Sequence, residues 1–159
     1  MELLYRGSEH GFRAAAFHEK CGEAENTLTL VRTEFGKTIA AFTPYKWHSV
    51  PNYQFVSNPA GGSFILALDL KEKLIPVETT KLICNNSGWG PGFGGVNGYD
   101  MVIGDQCNNN NNSWAGCIFT YNTADRKYQN NQQAYAALSG ATNGHKFRVA
   151  EYEVFRVVR

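Results

Sequence analysis

Residue types suited to acid–base or nucleophilic chemistry occur in two short segments near the ends of the chain. Ser8, His10 and His18 lie close to the N-terminus, and Glu151 and Glu153 lie close to the C-terminus. Serine and histidine can serve as nucleophile and base, and a pair of carboxylates can cleave a glycosidic bond. The sequence alone does not place the two segments together.

A structural or partner-binding role explains each of these residues more simply. Ser8 precedes a predicted helix, where its hydroxyl is positioned to cap a free backbone amide. His10 and His18 lack the i, i+4 spacing of a zinc pair, and we expect both to face solvent. Glu151 and Glu153 alternate onto one face of a predicted strand, where we expect a polar contact with a partner before catalysis. We therefore predict no catalytic residue and no metal site.

The four cysteines are widely spaced, at Cys21, Cys84, Cys107 and Cys117. No two of them form a C-x-x-C pair, which predicts free thiols rather than a zinc site or a redox pair. A peroxide-reactive role would require an exposed thiol with a lowered pKa. Cys107 stands beside a run of asparagines, so we expect it to be the more exposed thiol and name it as the redox candidate.

The segment from Trp89 to Asp100 holds five glycines between aromatic residues. No Lys-Ser or Lys-Thr follows, which excludes a phosphate-binding P-loop. Tyr99 to Ile103 alternates like a strand and does not open a helix, which argues against a dinucleotide-binding turn. The segment therefore predicts a tightly bent corner of an all-β core, and no cofactor is expected.

The composition favours a soluble protein with a sizeable core. The 159 residues carry a formal net charge of +1 and are 13% aromatic and 18% charged. This weak charge argues against a nucleic-acid partner. The length fits one domain over residues 1–159. Because the sequence shows neither a signal-peptide pattern nor an apolar span of about 18 residues, we expect a cytoplasmic protein without membrane insertion. We also expect a monomer.

Hydrophobic periodicity predicts one helix followed by a series of short strands. The predicted elements are a helix over 9–20, a hairpin over 27–42, and strands over 64–70, 74–77, 81–84, 99–103, 116–121 and 145–158. Segment 64–70 has apolar residues at both odd and even positions, which face opposite sides of a strand. This predicts a central strand covered on both faces. Segments 43–62 and 122–144 predict long surface loops, and a slip of parity near Ala150 and Glu151 predicts a β-bulge. We therefore expect a mainly β (α+β) fold, an antiparallel two-sheet β-sandwich with one or two flanking helices.

Several short motifs follow one another along the whole chain. They are Leu3–Phe12 with Phe17, Thr27–Arg32 with Phe35–Lys37, Ala41–Trp47, Phe64–Leu66, Phe93–Gly95 with Asp100 and Ile103–Gly104, and Phe147–Phe155. In this order they make the chain resemble a TLDc domain, the module of the oxidation-resistance protein family. The structural motif positions are Ser8, Gly11, Phe12, Phe93, Gly94, Gly95 and Asp100. Two positions depart from the family's usual pattern, with Glu25-Asn26 in place of Gly-Pro and Phe155 in place of Trp.

The resemblance implies a β-sandwich with flanking helices, a link to resistance against oxidative stress, and binding to the vacuolar-type proton ATPase. It implies no known catalytic mechanism. We therefore expect a non-enzymatic protein-interaction module whose partner includes subunits of that ATPase.

Exposed loop residues of the types that dominate interface energies are the candidate contacts. They are Trp114, Tyr53 and Arg126, together with the polar pair Glu151 and Glu153. Two alternatives stay open from the sequence. One is a peroxide-reactive antioxidant protein that uses Cys107 or an acidic residue, and the other is a carbohydrate-binding β-sandwich module.

Overall fold

The computed structural model describes residues 1–158, which form two antiparallel β-sheets stacked over a shared core with helices at the side. The helices are α1 (Gly7–His10), α2 (Ala14–Cys21) and α3 (Asn131–Leu138). The strands are β1 (Glu2–Arg6), β2 (Thr27–Thr33), β3 (Thr38–Thr43), β4 (Gln54–Val56), β5 (Phe64–Ala67), β6 (Glu72–Pro76), β7 (Ile83–Asn85), β8 (Gly92–Phe93), β9 (Met101–Val102), β10 (Ser113–Ala115), β11 (Tyr121–Asn122), β12 (Lys146–Phe147) and β13 (Val149–Arg156). The predicted mainly β, two-sheet class is confirmed. No helix in residues 1–158 has the length and apolar character needed to cross a bilayer.

The first sheet has seven strands in the order β1-β13-β2-β3-β5-β6-β11. The predicted hairpin is present as β2 and β3, closed by a turn in which the amide of Thr33 donates to the Lys37 carbonyl at 2.9 Å. β13 pairs with both β1 and β2, and its register against β2 shifts between Val149 and Glu151. The predicted bulge is therefore confirmed, and it returns Tyr152 and Val154 to the core.

The second sheet has six strands in the order β12-β10-β9-β8-β7-β4. Its strands are two or three residues long, so turns and loops supply most of its length. Trp47 fills the core between this sheet and α2, with its ring 5.4 Å from Phe93 and 5.7 Å from Phe17 between centroids. Its indole Nε1 donates to Thr27 Oγ1 at 3.0 Å, which anchors the long segment after β3 to the first sheet.

The N-terminal helix differs from the prediction because Gly11 interrupts it. Gly11 has φ 87° and ψ 158°, a conformation outside the helical region, and its carbonyl accepts the Tyr5 hydroxyl at 2.6 Å. Helix α2 therefore starts at Ala14, with Arg13 at its N-cap position.

Ser8 lies inside α1 and is not the predicted cap, and its backbone amide donates to Glu151 Oε1 at 3.1 Å.

Both segments predicted to be loops contain an additional element. Segment 43–62 includes β4, and segment 122–144 includes α3. The Asn130 side chain accepts the Gln133 amide at 3.0 Å, and the Gln133 side chain accepts the Gln129 amide at 3.1 Å. Asn130 therefore caps the first turn of the helix, and Gln133 binds the residue that precedes the cap. Ala134 and Leu138 then follow at i, i+4 spacing on the buried side of the helix.

The strand predicted over 64–70 is shorter than expected. β5 lies inside the first sheet between β3 and β6, but it ends at Ala67 and a short 3₁₀ turn (Leu68–Leu70) follows. Leu68 and Leu70 are 40% and 46% exposed, so the prediction that the segment is covered on both faces is wrong. The predicted strand over 116–121 is also wrong, because residues 116–120 connect β10 to β11 and only Tyr121 lies in a strand.

Candidate functional site

The second sheet is apolar on both of its faces. Ile83 and Met101 belong to the core between the sheets, whereas their chain neighbours Cys84 and Val102 belong to a separate cluster on the opposite face. An antiparallel sheet with one face in solvent usually alternates apolar and polar residues. The outer face of this sheet departs from that pattern.

One residue from each strand of the second sheet contributes to a row that crosses this outer face. From β4 to β12 the row consists of Phe55, Cys84, Gly92, Val102, Trp114 and Lys146. Directly opposed residues in antiparallel strands point to the same side of the sheet. The register of the short strands therefore brings residues that are far apart in sequence onto one face, where Cys84, Gly92 and Val102 are buried beneath aromatic rings.

A cleft of about 290 Å³ lies on this row and is called the aromatic cleft below. Its lining consists of Tyr53, Phe55, Cys84, Trp89, Gly95, Gly98, Tyr99 and Trp114. The ring of Tyr99 stands at the centre, 5.7 Å from Trp89, 6.2 Å from Trp114 and 6.3 Å from Tyr53 between centroids. Tyr53 is 58% exposed, so the aromatic surface is open to solvent on that side.

Two glycines form the floor on which rings of the cleft lie. A Cβ on Gly92 would come within 2.3 Å of Tyr99 Cε1, and a Cβ on Gly95 would come within 2.4 Å of Phe55 Cε1. Any larger residue at either position would push its ring off the sheet. The glycine-rich segment therefore sets the shape of the aromatic cleft.

The polar atoms of the cleft are few. Trp114 Nε1 donates to the backbone carbonyl of Tyr99 at 2.8 Å, which fixes the Trp114 ring. The Tyr99 hydroxyl is buried and has no hydrogen-bond partner among residues 1–158. Burial raises the pKa of the Cys84 thiol, and the neighbouring Tyr99 hydroxyl and Lys81 ammonium offset only part of that rise. The cleft is therefore suited to apolar contact with few directed hydrogen bonds.

Lysines stand at the two ends of the row. Lys81 Nζ lies 4.5 Å from the centroid of the Phe55 ring, at the β4 end. Lys146 is paired directly with Trp114 at the β12 end, and the ring of His145 lies 5.7 Å from that of Trp114. No carboxylate belongs to the described lining of the cleft.

Asp100 holds the glycine-rich segment in place from the buried side. Its Oδ2 accepts the backbone amides of Thr120 and Tyr121 at 2.8 and 2.7 Å, and its own amide donates to the Phe93 carbonyl at 2.8 Å. Gly94, at φ 82°, passes so close that a Cβ there would lie 2.7 Å from Asp100 Oδ1. Burial raises the pKa of Asp100 to about 7. Asp100 thus joins the turn before β9 to the start of β11.

His18 connects α2 to the edge of the cleft. Its Nε2 lies 2.7 Å from the Trp89 carbonyl oxygen and 3.0 Å from the Asn86 carbonyl oxygen. Both partners only accept, so Nε2 carries the hydrogen. His18 is only 8% exposed, and the prediction that it faces solvent is wrong.

The model of the TLDc domain family matches residues 1–158. The chain belongs to this family. The resemblance carried by the ordered sequence motifs is thereby confirmed, whereas no curated protein matches the chain.

In this TLDc domain, two of the five predicted contact residues come together. Tyr53 and Trp114 both line the aromatic cleft. Arg126 is exposed in the segment between β11 and α3. Glu151 and Glu153 lie on β13 of the first sheet, and the three charged residues therefore contribute nothing to the cleft lining.

The residues considered for catalysis have structural partners. Glu153 Oε2 accepts from Nε of Arg6 at 3.0 Å, and Glu151 Oε1 accepts the Ser8 amide. His10 Nδ1 accepts the Arg6 amide at 3.0 Å, whereas His18 lies beside the cleft on another helix. Among residues 1–158 no group of three or more His, Cys, Asp or Glu side chains is placed to hold a metal ion.

The TLDc core buries the predicted redox thiol. Cys107 is 0% exposed because its side chain turns into the core while the neighbouring Asn109 faces solvent, so the prediction of an exposed Cys107 is wrong. Burial raises the pKa of Cys107, and likewise that of Cys21, to about 12. Very little thiolate forms at neutral pH under these conditions, and the thiolate is the species that reacts with peroxide.

Alkylation of the folded protein should therefore separate the thiols by burial. We expect iodoacetamide at neutral pH to modify the half-buried Cys117 first, and to modify Cys21 and Cys107 only after urea is added. Mass spectrometry of tryptic peptides would assign each site. Rapid alkylation of Cys107 in the folded protein, at the rate of a free cysteine peptide, would contradict the buried placement.

Sequence reasoning missed most of the aromatic cleft. The sequence predicts a bent corner for the segment that holds Trp89 and Tyr99 and a loop for Phe55, and neither Tyr99 nor Phe55 is a predicted contact. The signal that could have revealed the cleft is the alternation of side chains along each strand. Once β7 and β10 are aligned, the apolar residues Cys84 and Trp114 occupy positions that face away from the core. Strands of two or three residues are too short to reveal that alternation before their pairing is known.

Proposed function

We propose that this TLDc domain is a non-enzymatic protein-docking module that binds the vacuolar-type proton ATPase and thereby supports resistance to oxidants. The domain acts as a cytoplasmic monomer on the peripheral sector of the ATPase. Membership of the TLDc family supports this function, because the resemblance to that family implies binding to the ATPase.

The observation that carries the proposal is the open aromatic cleft on the outer face of the second sheet. Exposed contiguous apolar surface is costly in water and commonly marks an interaction site. Tryptophan and tyrosine supply much of the binding energy of interfaces, and the cleft holds Trp89, Trp114, Tyr53 and Tyr99. The rigid sheet below holds these rings in place, which reduces the entropy lost on binding.

The alternatives have less support. A peroxide-reactive cysteine is disfavoured by the burial of Cys107. A sugar-binding role would require several polar side chains around the stacked ring, whereas the lining of the aromatic cleft consists of aromatic residues, glycines and Cys84. The cleft is better suited to the apolar side chains of a protein.

The test is direct binding to the purified peripheral sector of the ATPase. Biolayer interferometry should detect binding of the wild-type domain, and Trp114→Ala should weaken it by about tenfold or more, since loss of a buried interfacial tryptophan typically costs over 1 kcal/mol. Phe35→Ala is the matched control, because Phe35 is an exposed aromatic residue, 49% accessible, in the β2–β3 turn. If the wild-type domain does not bind, the ATPase is not the partner. If Trp114→Ala and Phe35→Ala weaken binding equally, the aromatic cleft is not the contact surface.

A further inference from the structure

We propose that the aromatic cleft binds an acidic, extended segment of the partner protein, with one large apolar side chain on the rings and carboxylates near Lys81 and Lys146. This inference rests on the proposed docking function and specifies the chemistry of what docks. The partner segment is defined by its charge and its apolar anchor.

The apolar anchor follows from the shape and lining of the cleft. The open volume of about 290 Å³ is lined mainly by aromatic rings, and that of Tyr99 lies against those of Trp89, Trp114 and Tyr53. An aromatic or large aliphatic side chain can contact several of these rings at once.

The acidic character follows from the charges at the ends of the row. Lys81 lies over Phe55 at one end, Lys146 is paired with Trp114 at the other, and the lining has no carboxylate. Complementary charge contributes mainly to specificity and to the association rate. Aspartate or glutamate residues on both sides of the anchor would match this arrangement, whereas a basic segment would be repelled at both ends.

The expected length follows from the sheet geometry. The row crosses six strands, and neighbouring strands are about 4.8 Å apart, so its ends are separated by about 24 Å. An extended chain covers about 3.3 Å per residue, which gives a segment of about seven residues. A short linear motif therefore matches the surface.

Single-stranded nucleic acid is the main competing ligand class, since bases stack on aromatic residues and phosphates bind lysine. Such sites normally follow the backbone with a continuous basic groove. This chain has a formal net charge of +1, with Lys81 beside one end of the row and Lys146 at the other. The arrangement favours a peptide with an apolar centre and acidic flanks.

The experiment is a selection of random displayed peptides on the purified domain, followed by affinity measurements with the enriched synthetic peptides. The wild-type domain should enrich peptides that combine one large apolar residue with acidic flanks. The double variant Lys81→Glu/Lys146→Glu should bind those peptides about tenfold more weakly and should enrich basic flanks instead. The matched control Lys20→Glu/Lys71→Glu makes the same change in net charge at exposed positions outside the cleft lining, and it should stay within about twofold of wild type.

Circular dichroism and thermal unfolding would establish that each variant is folded. The inference is overturned if no peptide is enriched, if the enriched flanks are uncharged or basic, or if both double variants behave alike. Displacement of the enriched peptide by an oligothymidine would overturn it in favour of nucleic acid.

The outcome is separable from that of the docking function. If the acidic peptides bind but the ATPase sector does not, the segment chemistry stands and the assignment of the partner fails. If the ATPase sector binds and no acidic peptide does, docking stands and the inferred segment chemistry fails.

Discussion

Asp100→Ala is expected to lower the free energy of unfolding by about 2–6 kcal/mol, because two buried backbone amides lose their acceptor and each unsatisfied group costs about 1–3 kcal/mol. Those amides belong to Thr120 and Tyr121, which Asp100 Oδ2 binds at 2.8 and 2.7 Å. Asp100 is 1% exposed, so water does not replace the carboxylate. Urea unfolding followed by tryptophan fluorescence would measure the loss.

Asp100→Asn is the matched control, since its amide oxygen can still accept both hydrogen bonds. We expect it to cost much less than the alanine substitution. Similar losses for the two variants would show that the acceptor role of Asp100 is not what stabilises this part of the fold.

The wild-type domain and the Asp100→Asn variant should also differ in how the free energy of unfolding depends on pH. Burial raises the pKa of Asp100 from 3.8 to about 7, so between these values the folded chain holds a proton that the unfolded chain has released. The contribution of Asp100 to the free energy of unfolding therefore increases as pH falls from about 7 toward about 4. Subtracting the profile of Asp100→Asn from that of wild type should isolate this rise, and a flat difference would contradict the raised pKa.

Gly94→Ala is expected to destabilise the domain by about 2–4 kcal/mol, through a positive φ and a steric clash together. Gly94 has φ 82°, and the added Cβ would lie 2.7 Å from Asp100 Oδ1 and 2.9 Å from Asp100 Cβ. Because Asp100 is fixed by backbone amides, it cannot move without breaking its hydrogen bonds. Chemical denaturation would give the change in unfolding free energy.

Gly98→Ala separates the two causes within the same segment. Gly98 has φ 87°, but a Cβ there would meet no atom within 4 Å. It should therefore cost only the backbone term, about 1 kcal/mol. Equal losses at the two positions would show that the close approach to Asp100 contributes nothing.

Long, regular segments were predictable from the sequence because their periodicity is local. The β2–β3 hairpin was visible as alternation around a short turn, and the bulge in β13 was visible as a slip of parity near Ala150. The two-sheet class followed from the number of such segments. These features depend on side-chain spacing along one stretch of chain.

The misses have tertiary causes. The first helix is split at Gly11, whose carbonyl is held by the hydroxyl of Tyr5 on the neighbouring strand. The thiol of Cys107 is buried although asparagines follow it in the sequence. Helix α3 is the exception, since Asn130 followed three residues later by Gln133 is a readable sign of a helix start, and the Asn130 side chain does accept the Gln133 amide.

The candidate site was predictable only in part. Tyr53 and Trp114 were chosen for residue type and loop position, and they remain predicted contacts. Their joining with Trp89 and Tyr99 in one cleft depends on the pairing of strands that are two or three residues long. That register depends on contacts far apart in sequence, which no local pattern records.

Hydroxyl-radical footprinting of the domain, free and bound to the peripheral sector of the ATPase, tests the central claim most directly because it reports the exposure of individual side chains. The account predicts that oxidation of Tyr53, Phe55 and Trp114 falls in the complex, while oxidation of the exposed reference residues Phe35 and Phe119 is unchanged. Protection confined to the β13 face around Glu151, with the aromatic cleft as reactive as in the free domain, would contradict it.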